Sequence, residues 1–208
     1  MKAAKKSAKE RPLGRPRSES ARLAILDAAY GLLKKKPVAA ISTVEIARKA
    51  GVSTATMYRW WPIKEALLLE AFLHRLEFEE VLKPGSDPLA NLKQYVLQVG
   101  ESFTGESGIV AARLLASIQD NAVLRKEFLE TVYSPRDKDF RATVKEAIRR
   151  GQLPAGTQVE IFLETIFGPL ILRLLLRHEK IDRDYVLAVF NRVVAGSRGH
   201  KASNLRAR

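Results

Sequence analysis

The sequence predicts an all-α protein, and three observations carry that prediction. Apolar residues in the hydrophobic segments return every three or four positions, as one face of a helix requires. No stretch alternates strictly between apolar and polar residues with β-branched enrichment, so no sheet is expected. Proline and glycine interrupt the pattern at Pro37, Gly51, "KPGSDP" (83–88), Gly105 and "GQLPAG" (151–156). A chain of 208 residues has room for a small domain joined to a larger one.

Residues 1–18 are rich in Lys, Arg, Pro, Gly and Ala with almost nothing apolar to bury, which predicts a disordered basic arm. From Glu19, "ESARLAILDAAYGLLKKK" places Leu23, Ile25, Leu26, Ala29, Leu32 and Leu33 at helical spacing. Its lysines are expected in the last turn, where they suit the helix dipole, and Pro37 stops it. "STVEIARKAG" opens with Ser42 and Glu45 in the capping-box arrangement and closes on Gly51. "VSTATMYRW" restarts at once with Ser53 as N-cap. Pro62 suits the first turn of a long helix from about Ile63 to about Leu82. Further helices are expected near 88–102, 106–119, 121–132, 135–150, 157–177 and 182–195, with the last break around His178–Lys180.

Residues 42–60 thus form two short helices joined by "KAGVS", a helix-turn-helix. Gly51 supplies the left-handed backbone of the turn. Val52 and Met57 are expected to pack inward against Leu26, Ala29 and Leu33. Ser53, Thr54, Ala55 and Thr56 are then left on the exposed first turn of the second helix. Small residues there let a helix approach a DNA major groove, where threonine bonds a base edge or phosphate and alanine touches a thymine methyl. The plainer alternative is that "STAT" is only a capped helix start.

Five features in register go beyond a lone helix-turn-helix: Ile-Ala before "AGVS", Tyr58, a large aromatic at Trp61, Pro-x-Lys at 62–64, and the Leu-rich helix that follows. With "RLAILDAAYGLL" before them, residues 19–73 resemble the DNA-binding domain of the tetracycline-repressor (TetR/AcrR-type) family of bacterial transcriptional regulators. The resemblance implies that Thr54, Ala55 and Thr56 meet bases and that Thr43 reaches phosphate or base. It implies phosphate binding by the Tyr58 hydroxyl and by Lys64, with the helix dipole assisting the latter, and a backbone contact by Trp60. Trp61 falls on a core position. Arg59 departs from the usual aromatic, and either contacts phosphate or guanine or faces solvent. "GRPR" (14–17) looks like the minor-groove core of an AT-hook, which makes Arg15 and Arg17 candidates for a narrow A/T groove. The alternative is a solubilising tail.

Residues 83–208 resemble the family's C-terminal domain in layout. The division expected is an arm at 1–18, a DNA-binding domain at 19–65, a helical effector-binding and dimerisation domain at 66–196, and a basic tail at 197–208. "VEIFLETIFGPLILRLLL" and "YVLAVFNRVV" are apolar on too many faces for a monomer's surface. Two half-sites one turn apart also ask for twofold symmetry, so a homodimer is expected. The resemblance implies contact through the last two helices (about 157–177 and 182–195); the alternative is that both are buried within one subunit. Gly168-Pro169 should kink the first of these helices and free a carbonyl. The resemblance also implies a small inducer bound in this domain. Phe72, Leu76, Phe103, Leu114, Tyr133 and Phe167 are the candidate pocket residues, and core packing explains each equally well. Their apolar character points to a hydrophobic or aromatic effector.

Charge and composition agree with this division. The net charge of +13 is uneven. Residues 1–75 hold sixteen Lys/Arg against six Asp/Glu, residues 76–191 fifteen against seventeen, and residues 192–208 five against none. Basic ends on a near-neutral body suit a polyanion-binding module attached to a body with another task. The absence of cysteine removes thiolate chemistry and cysteine-ligated metal, and it suits a cytoplasmic protein. The N-terminus lacks the apolar run of a secretory signal, and "IFLETIFGPLILRLLL" is too short to cross a bilayer. The three histidines (His74, His178, His200) are far apart, and no phosphate loop or nucleophile elbow appears. Neither an enzyme nor a cofactor is expected. The expectation is a ligand-responsive repressor of a palindromic operator in double-stranded DNA. The alternative is an architectural DNA binder that recognises no ligand.

Overall fold

The computed structural model describes residues 19–76, 82 and 87–199, with side chains to 197. The arm with Arg15 and Arg17, and the tail from His200 onward, lie outside the described residues. Their regular structure is all helical, with no strand among the described residues. In chain order they are α1 (Glu19–Leu33), a 3-10 turn (Val38–Ala40), α2 (Thr43–Ala50), α3 (Thr54–Tyr58), α4 (Lys64–Arg75), α5 (Pro88–Ser102) and α6 (Gly105–Asp120). Then come α7 (Ala122–Phe128), a π turn (Leu129–Tyr133), α8 (Ser134–Arg149), α9 (Val159–Leu176) and α10 (Arg183–Gly199).

Local chemistry fixes the head. Ser42 caps α2 by accepting from the Glu45 N–H at 3.2 Å, but the Glu45 carboxylate turns to Lys36 at 2.6 Å instead of closing the capping box. Gly51 ends α2 at φ 67°, where a Cβ would strain the backbone. Ser53 caps α3, accepting from the Thr56 N–H at 3.1 Å. Helix α1 packs on α2 and α4. Its buried Ile25, Leu26, Ala29 and Leu33 share one cluster with Ile46, Met57, Trp61, Leu67 and Leu68, and Val52 packs against it. That cluster continues into the body through Val110, Leu114 and Leu124.

A second cluster holds the body together. Leu92 and Val96 of α5, Phe140 and Val144 of α8, Phe162, Ile166 and Leu170 of α9, and Val186 and Phe190 of α10 are its centre. Asp87 caps α5, with Pro88 in the first turn where no N–H is needed. Gly100 lets α5 and α10 approach so closely that a Cβ there would overlap the Val186 side chain. Helix α9 buries Phe162, Leu163, Ile166, Leu170 and Leu174, yet leaves Ile161, Leu172, Leu175 and Leu176 exposed. It runs on through Pro169, whose own carbonyl lies 3.5 Å from the Tyr185 hydroxyl.

Five boundaries differ from expectation, one of them the end of α10, which runs to Gly199 and not to about 195. Helix α1 ends at Leu33, so the lysines follow it in a tighter turn, where Lys35 and Lys36 both donate their N–H to the Leu32 carbonyl. Pro62 precedes α4 instead of entering it, with Ile63 as the extended N-cap. Helix α4 stops at Arg75, where Leu76 turns extended at φ −92°, ψ 105°. His74 and Arg75 suit a helix C-terminus, and the rest of the expected helix, 77–81, lies outside the described residues. The break expected between 132 and 135 is not a break. The chain stays helical from Ala122 to Arg149 through the π turn, in which the Ser134 N–H reaches the Leu129 carbonyl. Pro135 has no N–H to give the preceding turn, and the wider register accommodates it.

Candidate DNA interface and effector cavity

Helices α2 and α3 bring together side chains that the sequence holds apart. The Tyr58 hydroxyl donates to Thr43 Oγ1 at 3.3 Å, across fifteen residues, and Tyr58 is 47% exposed. Beside this pair, the Ser53 and Thr56 hydroxyls share a hydrogen bond at 2.9 Å. Ala55 and Arg59 are exposed, and Thr54 is partly so. The surface is therefore a run of small hydroxyl and methyl groups flanked by a phenol and a guanidinium. Such a surface has donors and acceptors for base edges and phosphate.

The two adjacent tryptophans separate. Trp61 is buried, and its Nε1–H donates to Glu70 at 2.6 Å. The other Glu70 oxygen accepts from Arg22 of α1, which also pairs with Glu19 at 2.7 Å. The hydrogen bond to Glu19, then that to Glu70, raises the Arg22 pKa above its usual value. Trp60 is half-buried, tilted 35° to Trp61 at 6.1 Å between ring centroids, with the Arg22 guanidinium 6.0 Å from its ring centre. Lys64 is also partly committed. Its ammonium reaches the carbonyls of Ile41 (3.1 Å) and Val38 (3.4 Å), tying α4 to the 3-10 turn. An ammonium has three donors, so one remains.

Behind the head lies a cavity of about 410 Å³, walled by α4, α5, α6, α9 and the α7–α8 helix. Phe72, Leu76, Phe103, Leu114, Tyr133 and Phe167, widely separated in sequence, all line it. Tyr95, Phe140 and Phe167 stack edge to face or tilted at 5.5–6.3 Å between ring centroids. Burial pushes the Tyr95 hydroxyl up to about 12, so it stays a neutral phenol. Tyr95, Gln119, Arg136 and Asp137 are lining residues that sequence reasoning missed. Their one signal was polarity on otherwise apolar helical faces.

The walls are joined to the head. Arg113 of α6 donates to the Leu33 carbonyl at the end of α1 (2.5 Å), and Lys34 pairs with Glu106 at 3.0 Å. Asn121 donates to Glu65 of α4 at 3.1 Å. Leu69 and Leu114 belong both to the head's core and to the cavity lining.

Comparison with known proteins settles the family. Residues 86–193 match the model of the tetracyclin repressor-like C-terminal domain, and residues 25–71 match that of bacterial regulatory proteins of the tetR family. The chain belongs to the TetR family. It is 29% identical over 188 residues to the HTH-type transcriptional regulator YdeS of Bacillus subtilis (strain 168), covering 88% of this chain and 95% of that protein. The crystal structure of the TetR-family regulator SCO0332 superposes with a TM-score of 0.65 at 26% identity, over 85% of this chain and 98% of that one. FadR from Bacillus subtilis, in complex with stearoyl-CoA, shares the fold at a TM-score of 0.67 and 21% identity, over 84% and 98%. This TetR-family chain is thus a helix-turn-helix transcriptional regulator, from a family of regulators and not of enzymes. Among its described residues no helix is long and apolar enough to cross a membrane.

Proposed function

We propose that this regulator is a cytoplasmic homodimeric repressor that binds a palindromic operator and is released by a small hydrophobic effector. One observation carries the reading: the apolar cavity and the DNA-binding head share helix α4 and are bridged by α6. A ligand that repacks Leu69, Leu114 or Phe72 acts on α4 and α6, and α6 holds α1 through Arg113 while Asn121 at its end holds α4 through Glu65. Thr54, Ala55 and Thr56 are assigned to bases, with Ser53 holding the helix start beside them. Thr43, Tyr58, Arg59, Trp60 and Lys64 are assigned to the backbone. Arg15 and Arg17 are assigned to the adjacent minor groove. Dimerisation is assigned to α9 and α10, and the exposed apolar side chains of α9 suit a second copy.

Selection from a random duplex pool should return an inverted repeat, enriched against competitor DNA and lost on addition of effector. A pool with no motif would favour the architectural reading, which the basic ends of the chain otherwise support. Within the operator, Thr56→Ala is expected to cost ~1–3 kcal/mol at its cognate base pair and to relax preference there. Tyr58→Phe should weaken all sequences alike, since a phosphate contact carries no sequence information. Fluorescence anisotropy on operator and scrambled duplexes separates the two. Identical behaviour of both variants would contradict the division of roles.

A further inference from the structure

We propose that the cavity selects a neutral, mostly aromatic ligand whose polar head donates a hydrogen bond to Asp137. This rests on the reading of the cavity as the effector site. Its wall is almost wholly apolar, and its polar groups are mostly in use. The Ser102 hydroxyl donates to the Val99 carbonyl at 2.7 Å, and Arg136 donates to the Val132 carbonyl at 3.1 Å. Asp137 is different. Arg141 Nε–H occupies its Oδ2 at 2.6 Å, while Oδ1 is buried with no hydrogen-bond partner. A buried carboxylate oxygen without a donor is rare and costly, and here it belongs to a residue that lines the cavity.

Position and charge define the donor's chemistry. The π turn absorbs one residue between Phe128 and Ser134. Phe128 and Val132 before its end, and Arg136, Asp137 and Phe140 after it, thereby line one cavity. The Asp137 charge is already matched by Arg141, and Arg136 stands beside it on the same wall. A cationic ligand therefore meets Arg136, and an anionic one meets Asp137. Either would also leave water for a surface with little to replace it. A hydroxyl or amide N–H meets neither penalty, and satisfies Oδ1 once the Asp137 carboxylate turns slightly toward the cavity. Tyr95, Phe140 and Phe167 present the ring faces and edges on which an aromatic body stacks.

Four biphenyls with one skeleton test this by calorimetry on the full chain: 4-phenylphenol, its ether 4-methoxybiphenyl, biphenyl-4-carboxylate and 4-(aminomethyl)biphenyl. The phenol is expected to bind about tenfold or more tightly than the ether, as a hydrogen bond to a charged acceptor implies. Both charged probes should bind more weakly than the phenol. In Asp137→Ala the phenol's advantage over the ether should vanish while the ether still binds. Because that variant strands the Arg141 guanidinium, the comparison is repeated in Asp137→Leu/Arg141→Met, which removes both charges. Equal affinity of phenol and ether in the unaltered protein overturns the proposal. So does a preference that survives either variant, or tightest binding by a charged probe. If none of the four binds, the effector-site reading falls with it.

Discussion

Replacing Leu172 and Leu176 together by glutamate should convert the protein to a monomer and weaken operator binding by about 10²–10⁴-fold, the gain that linking two sites supplies. Leu172 is 53% exposed and Leu176 65%, with Ile161 at 55% and Leu175 at 45% on the same helix. Helix α9 buries its other side in the body's core and Leu175 also lines the cavity, whereas Ile161, Leu172 and Leu176 belong to neither. Exposed stripes of large aliphatic residues are uncommon on monomers. Across a twofold axis each glutamate would meet its own copy or an apolar side chain, and both are unfavourable. Both substituted positions are at the surface, so each subunit's own packing is left intact. Sedimentation velocity reads the oligomer and anisotropy reads the operator. A variant that stays dimeric would place the subunit contact elsewhere.

Trp61→Ala should lower folding stability by about 3–5 kcal/mol, the usual cost of emptying a large aromatic site. Trp61 is 4% exposed and packs among Leu26, Leu67 and Leu68, so the loss is first of volume. Its indole N–H also satisfies Glu70, which otherwise holds α1 to α4 through Arg22. Trp61→Phe keeps most of the volume and loses that donor, which costs about 1.5–3 kcal/mol for a bond to a charged group. Trp60→Ala should do the reverse, with a smaller loss of stability and a larger loss of DNA affinity. Urea denaturation of the three variants orders them. A Trp61→Ala midpoint close to the unaltered protein would mean that the head does not depend on this side chain.

The helices were legible because burial imposes a period of 3.6 on their apolar residues. Helix α5 matches expectation at both ends, since Asp87-Pro88 is an unambiguous start. What escaped is what tertiary structure decides. Pro135 opens the expected helix 135–150, yet a change of hydrogen-bond register joins that helix to the one before it. That register change places Arg136 and Asp137 in the cavity, so neither residue stood out in the sequence. Nothing in the sequence separated the apolar lining residues from core residues, and only the fold gathers them. Glu45 and Lys64 show the same limit at short range. Each had a local role implied by its motif, and each is engaged by a partner from a neighbouring segment: Lys36 for the first, the carbonyls of Val38 and Ile41 for the second.

The continuous cluster that runs from α1 into Val110, Leu114 and Leu124 bears on how such a protein can be recombined. A head transplanted from a relative by cutting after α4 would bring a foreign surface against α6 and α7. Its fit would depend on three residues that the graft does not carry. A chimera that respects inheritance would move Val110, Leu114 and Leu124 with the head. The reader of DNA and its nearest support are, in this sense, one hereditary unit.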